Sequence, residues 1–180
     1  DNGSTQVTLK TPGNVISNGG AVIETQNYFY FVNGAADAKA DNTYGTPIKG
    51  AIMVVKKADM TTQEIVVPKI VSSSDYDSGI YLYNGYLYYG TTTTKKGTDG
   101  KVVKSVLEFQ RAKVDGSGVE EITTVDGLGT EFRFIENGGV VYLIYQTSVT
   151  VEEEKVNRLI CRNTSTGAET LIVEDYENYT

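Results

Sequence analysis

Apolar and aromatic residues come in short runs along the chain, alternating with polar ones or standing side by side, and each run is closed by Gly, Asn or Asp. No long segment keeps its apolar positions at helical spacing, so the pattern predicts strands and turns throughout. The clearest instance is Gly79-Ile80-Tyr81-Leu82-Tyr83, then Asn84-Gly85, then Tyr86-Leu87-Tyr88-Tyr89-Gly90. An Asn-Gly pair tolerates the two positive φ angles of a type I′ turn, so the flanking runs should pair antiparallel.

The same arrangement recurs on either side. Upstream, Gly20-Ala21-Val22-Ile23-Glu24-Thr25 leads through Gln26-Asn27 into Tyr28-Phe29-Tyr30-Phe31-Val32. Downstream, Glu131-Phe132-Arg133-Phe134-Ile135 leads through Glu136 to Gly139 into Val140-Val141-Tyr142-Leu143-Ile144-Tyr145. Tyr30, Tyr88 and Tyr142 then recur at intervals of about 55 residues. A second hairpin follows each first one. It is Ala51–Lys57 with Glu64–Val67 around a turn at Asp59-Met60-Thr61-Thr62, then Val106–Arg111 with Glu120–Thr123 around Asp115-Gly116-Ser117-Gly118. The third is Arg158–Arg162 with Glu169–Val173 around Thr164-Ser165-Thr166-Gly167. Residues 1–19 read as a polar tether and lead-in, and residues 20–175 as one repeat-built domain with units at about 20–72, 73–126 and 127–175.

The second strand of each unit is apolar on both faces. Tyr28 and Tyr30 point one way and Phe29 and Phe31 the other, so the strand needs cover above and below. Sheets stacked between neighbouring sheets supply that cover. The expected fold is therefore all-β and β-propeller-like, with about three four-stranded antiparallel blades, and a β-barrel or β-sandwich is the alternative. Propellers close with about four to eight blades, which leaves three arcs short of a ring. The chain is thus expected to be part of a longer protein or to pair as a homodimer into a full ring.

Composition narrows the chemistry more than it widens it. The 180 residues contain no histidine and one cysteine, Cys161. That excludes imidazole-based nucleophile systems, an intrachain disulfide and the usual His/Cys zinc sites. The net charge of −7 opposes broad attraction to phosphate backbones, so no nucleic-acid partner is expected. No run of about 18 apolar residues is present, so no transmembrane segment is expected. The opening Asp1-Asn2-Gly3-Ser4-Thr5-Gln6 reads as a flexible tether, the end that a processed secretory precursor or a lipid-anchored one would carry. With abundant Tyr, Thr, Asn and Gly, it points to export to a bacterial cell surface.

Gly85-Tyr86-Leu87-Tyr88-Tyr89, followed by Leu107-Glu108-Phe109-Gln110-Arg111-Ala112-Lys113-Val114-Asp115-Gly116-Ser117-Gly118, resembles the repeat of bacterial extracellular β-propeller proteins of the DUF5050 type. That repeat is related in pattern to the Tyr-Trp-Thr-Asp propellers. The middle unit carries the likeness best. The first keeps Asp59 without its glycine, the third has Thr164-Ser165 in place of Asp-Gly, and the chain has no tryptophan. The resemblance implies a sensing or binding scaffold on a bacterial surface and carries over no catalytic residue.

Tyrosine is the conspicuous residue type, with thirteen copies. Rigid amphipathic rings suit stacking on sugars or gripping a peptide, although on strands packed between sheets they serve the core first. Tyr81 and Tyr83 are the candidates on the central hairpin. Three connections between second and third strands, Gly34 to Gly50, Thr91 to Lys104 and Ser148 to Lys155, read as loops on one rim, where binding residues are commonly displayed. The first holds the candidates Asp37, Asp41 and Tyr44, and Tyr76 lies just before the central hairpin. Asp75 and Asp77 in Asp75-Tyr76-Asp77-Ser78-Gly79 could donate oxygens to Ca²⁺, but they lack the other carboxylates of an EF-hand loop and read first as a turn. No cofactor or resident metal is expected. The expected function is a non-catalytic binding or scaffolding module that engages protein or carbohydrate through its rim loops. The alternative is a glycoside-active enzyme working with two carboxylates, although no feature selects a pair among 23 acidic residues.

Overall fold

The structure, a computed structural model, describes residues 11–34, 48–72, 79–126 and 131–174. Among these residues there is no helix, and none therefore long and apolar enough to cross a membrane. Among the described residues thirteen strands follow one another, all paired antiparallel. The first group is β1 (Val15–Ser17), β2 (Val22–Thr25), β3 (Tyr28–Gly34), β4 (Ile48–Lys56) and β5 (Asp59–Ser72). The second is β6 (Tyr81–Tyr83), β7 (Tyr86–Lys96), β8 (Val102–Lys113) and β9 (Glu120–Asp126), and the third is β10 (Phe132–Asn137), β11 (Val140–Val151), β12 (Glu154–Asn163) and β13 (Glu169–Glu174).

Each group contains one four-stranded meander, β2 to β5, β6 to β9 and β10 to β13, with β1 added to the edge of the first. The third meander is a sheet of its own. The first two are joined into one curled sheet by a single bridge, Val71 opposite Gly90, at the end of β5, where Val71 also pairs with Lys49 of β4. A Cβ at Gly90 would lie 2.9 Å from the Phe132 ring. The glycine therefore lets the third sheet close down on that junction.

The local chemistry explains the turns. Asn84 and Gly85 take φ of 48° and 77°, and Tyr83 pairs with Tyr86, as a two-residue type I′ hairpin requires. The Asp115 carboxylate accepts hydrogen bonds from the backbone and hydroxyl of Ser117, which hold it below the usual carboxylate range. Asp59 is lowered in the same way by Thr61 and Thr62. The first of these second hairpins turns two residues earlier than its sequence suggests, since Lys56 already pairs with Asp59.

Two of the expected rim loops are strands instead. Thr91 to Lys96 and Val102 to Lys104 extend β7 and β8, with the turn confined to residues 97–101. Ser148 to Val151 and Glu154 to Lys155 likewise extend β11 and β12 around Glu152-Glu153, whose φ angles are 50° and 70°. The β-branched Thr and Val residues in these segments favour extended backbone despite their polar neighbours.

The sheets are stacked, and two apolar layers lie between them. In the first layer Ile23, Tyr30, Ile52 and Ile70 of the first unit meet Ile80, Leu82, Leu87 and Tyr89 of the second. In the other, Tyr88, Leu107 and Phe109 of the second meet Phe132, Phe134, Leu143 and Tyr145 of the third. Adjacent residues of β7 thus point into different layers, as period-two alternation demands. Phe109 anchors the second layer, with ring centroids 4.9 Å from Phe132 and 6.0 Å from Phe134. The arrangement is all-β and consistent with a partial propeller, and equally with a barrel-like or sandwich-like stack.

The expectation of double cover holds for the middle unit and not for the outer two. Phe29 and Phe31 on β3 are half-buried, as are Tyr142 and Ile144 on β11, because no sheet lies over those faces among the described residues. Lys57 partly shields Phe29, its ammonium 4.8 Å from the ring centroid while paired with Glu24.

Candidate functional site

Of the candidate residues, Asp37, Asp41 and Tyr44 and the group Asp75, Tyr76 and Asp77 lie outside the described residues. Tyr81 and Tyr83 share one face of β6, opposite Tyr88 and Tyr86 on β7. All four rings turn toward the layer between the second and third units. The Tyr81 hydroxyl accepts the Glu136 backbone N–H at 3.2 Å. The Arg111 guanidinium lies 4.7 Å from the Tyr86 ring centroid and pairs with Glu120. This row is an amphipathic wall packed against the second layer, with the Tyr81 tip engaged at the seam where β6 approaches β10.

A different concavity has the chemistry of a site. Where β5 diverges from β7 below the Val71–Gly90 bridge, a groove of about 340 Å³ opens between the first two units. On this face of the second sheet the pairs change character along the strands. Leu87 opposite Ala112 is buried and apolar, then come Tyr89 opposite Gln110 and Thr91 opposite Glu108. The hydrogen bonds form a chain: the Tyr89 hydroxyl donates to Gln110 Oε1 at 3.0 Å, and Gln110 Nε2 donates to Glu108 Oε1. Burial, with the Glu108 charge adding to it, pushes the Tyr89 phenol up to about 12, so it remains a neutral donor near neutrality. Across the gap, Lys69 Nζ donates to the Thr92 carbonyl at 3.1 Å. Val66, Pro68 and Val119 supply an apolar side.

The β8–β9 turn closes one end of the groove. Gly116 sits at φ +80°, and a Cβ there would lie 2.2 Å from the Val66 carbonyl oxygen. Only glycine meets both demands at this close approach.

The groove offers amide, hydroxyl, carboxylate and ammonium groups beside an apolar wall, which suits a ligand rich in hydrogen-bonding groups. Its described lining contains one carboxylate, Glu108, whereas two-carboxylate glycoside chemistry needs a pair about 5–10 Å apart. Among the described residues no three His, Cys, Asp or Glu side chains converge as a metal site. Comparison with protein-family models, with curated proteins and with solved structures finds no match.

Sequence reasoning located the strands that carry this groove but not the groove. The available signal was the alternation in Leu107-Glu108-Phe109-Gln110-Arg111. There a wholly buried apolar pair, Leu107 and Phe109, frames two polar residues that turn toward a neighbouring sheet rather than toward open water.

Proposed function

We propose that the protein is a non-catalytic binding or scaffolding module, exported and held at a bacterial cell surface by a lipid tether, that engages protein or carbohydrate. The observation that carries this reading is the Tyr89–Gln110–Glu108 hydrogen-bond chain set in the groove between the first two units, beside the apolar Val66, Pro68 and Val119. Buried polar groups are costly unless partnered, and these open onto a concave surface beside Lys69 and the threonines of β7. An oligosaccharide or an extended peptide presents the alternating donors and acceptors that such a row can meet. The β7–β8 hairpin rises from the same place, so a chain lying in the groove would continue along that arm.

Screening the protein on glycan and peptide arrays, followed by calorimetry on the best binder, tests this reading. Binding should weaken about tenfold or more in Gln110→Ala, which removes both central hydrogen bonds, with the strand signature in circular dichroism retained. Turnover of a bound substrate, or binding indifferent to Gln110 and Lys69, would contradict it.

A further inference from the structure

Equivalent side chains meet at two junctions within the chain, the first also bridged at Val71 and Gly90 and the second packed without a bridge, and the chain carries both halves of a third set. Pairing registers align Ile52 of β4, Phe109 of β8 and Cys161 of β12, which stand opposite Val32, Gly90 and Ile144. These positions face the following unit. Ile52 and Phe109 are wholly buried there, whereas Cys161 is only half-buried. On the opposite faces, Phe31 of β3, Tyr89 of β7 and Leu143 of β11 occupy equivalent places toward the preceding unit. Tyr89 and Leu143 are 2% and 0% exposed, and Phe31 is half-buried.

The faces that the described residues leave uncovered are apolar and of the two opposite kinds. The third unit presents Tyr142, Ile144, Cys161 and Leu159, flanked by Ile135 at 37% and Val173 at 41% exposure. The first unit presents Phe29, Phe31 and Met53, flanked by Val22 at 50% and Ile65 at 56% exposure. The surface that fits over Tyr142, Ile144 and Cys161 is therefore one of the kind that Phe29, Phe31 and Met53 form.

We infer that two copies of this chain associate head to tail, the first unit of each covering the third unit of the other. Such a junction is heterologous, and it ends in a closed pair only if the rotation per copy closes. Two copies bring six four-stranded units, within the four to eight blades that complete a ring, and closure covers both faces that the described residues leave open. The wedge of a third sheet against a first continues an interface that this chain already builds between its own units.

Light scattering coupled to size exclusion, across a concentration series, tests the inference. The 180-residue chain should reach twice its 19.6 kDa mass. Phe31→Glu and Ile144→Glu should each give 19.6 kDa with unchanged circular dichroism. An equimolar mixture of the two should recover the doubled mass, because one of its junctions carries both substitutions and the other carries neither. A mass of 19.6 kDa at every concentration overturns the inference and leaves the ends to other sheets. So does association abolished by only one substitution, which marks a symmetric face-to-face contact, and so does a mass that climbs past two copies, which marks an open filament. Should either variant fail to fold, Cys161 of the unaltered chain reports instead. Its alkylation should slow about tenfold as concentration rises through the association range, and a constant rate overturns the proposal.

Discussion

Replacing Phe109 with alanine should be among the most damaging single changes available. The ring is wholly buried, with its centroid 4.9 Å from Phe132, 6.0 Å from Phe134 and 5.9 Å from Tyr145, all on the third sheet. Truncating a buried phenylalanine costs about 3–5 kcal/mol. The lost aromatic pairs, each worth about 0.5–1.5 kcal/mol beyond burial, place this site toward the upper end of that range. Against a whole-domain stability of about 5–15 kcal/mol, the variant keeps only a thin margin. Urea unfolding at a fixed protein concentration reads the effect. A slope of about 2 kcal/mol/M turns 4 kcal/mol into a midpoint shift of about 2 M. Met60→Ala, at a residue 55% exposed on β5, serves as the control and should change stability by less than about 1 kcal/mol. A cycle combining Phe109→Leu with Phe134→Leu should show coupling of about 0.5–1.5 kcal/mol, since the two rings meet across the junction. A loss below about 1 kcal/mol for Phe109→Ala, or the absence of coupling, would refute the stacking of the second sheet on the third.

Base should unfold the protein. Burial raises the phenols of Tyr30 and Tyr145 above the usual value, raises Tyr89 to about 12, and leaves the Tyr30 hydroxyl without a partner among the described residues. A phenol whose folded value exceeds its unfolded value of 10.0 stabilises the fold fully below that pH and loses its contribution as pH rises toward about 12. Urea midpoints should therefore fall between pH about 9 and about 11, with part of the tyrosinate absorbance appearing only on unfolding, and an unchanged midpoint would contradict this. At the β11–β12 turn, two glutamates occupy left-handed backbone at φ 50° and 70°. Replacing Glu152-Glu153 with Asn-Gly should stabilise the protein by about 1–2 kcal/mol in the same assay, and a loss of stability would mean that the turn is not type I′.

Strand content and the repeat were legible because local chemistry sets them. Asn84-Gly85 dictates its own turn, and the doubly apolar Tyr86-Leu87-Tyr88-Tyr89 demands cover on both faces, which it receives. The reach of the hairpins was harder to read. Thr91 to Thr94 look like loop by polarity, but they are β-branched and find a partner strand from Ser105 to Glu108. The bridge between Val71 and Gly90 was not legible at all, since it depends on how far the β4–β5 hairpin reaches beyond Val67 and on a glycine admitting Phe132. The groove was invisible for the same reason. It exists because β5 leaves β7 after that bridge, so its lining draws on residues from Val66 to Val119 that share no local motif. Tyr81 and Tyr83, read as candidate binding residues, lie on β6 and pack against the second layer, with the Tyr81 hydroxyl accepting the Glu136 N–H.

The stacking of three sheets is tested most directly by nuclear Overhauser contacts from consecutive residues of β7. Beyond contacts within their own unit, Tyr88 should show contacts to Phe134, whose ring centroid lies 5.6 Å away, while Leu87 and Tyr89 should show contacts to the first unit around Ile23 and Tyr30 and none to the third. Contacts from all three residues to the same neighbouring unit, or from Leu87 to neither neighbour, would contradict the account.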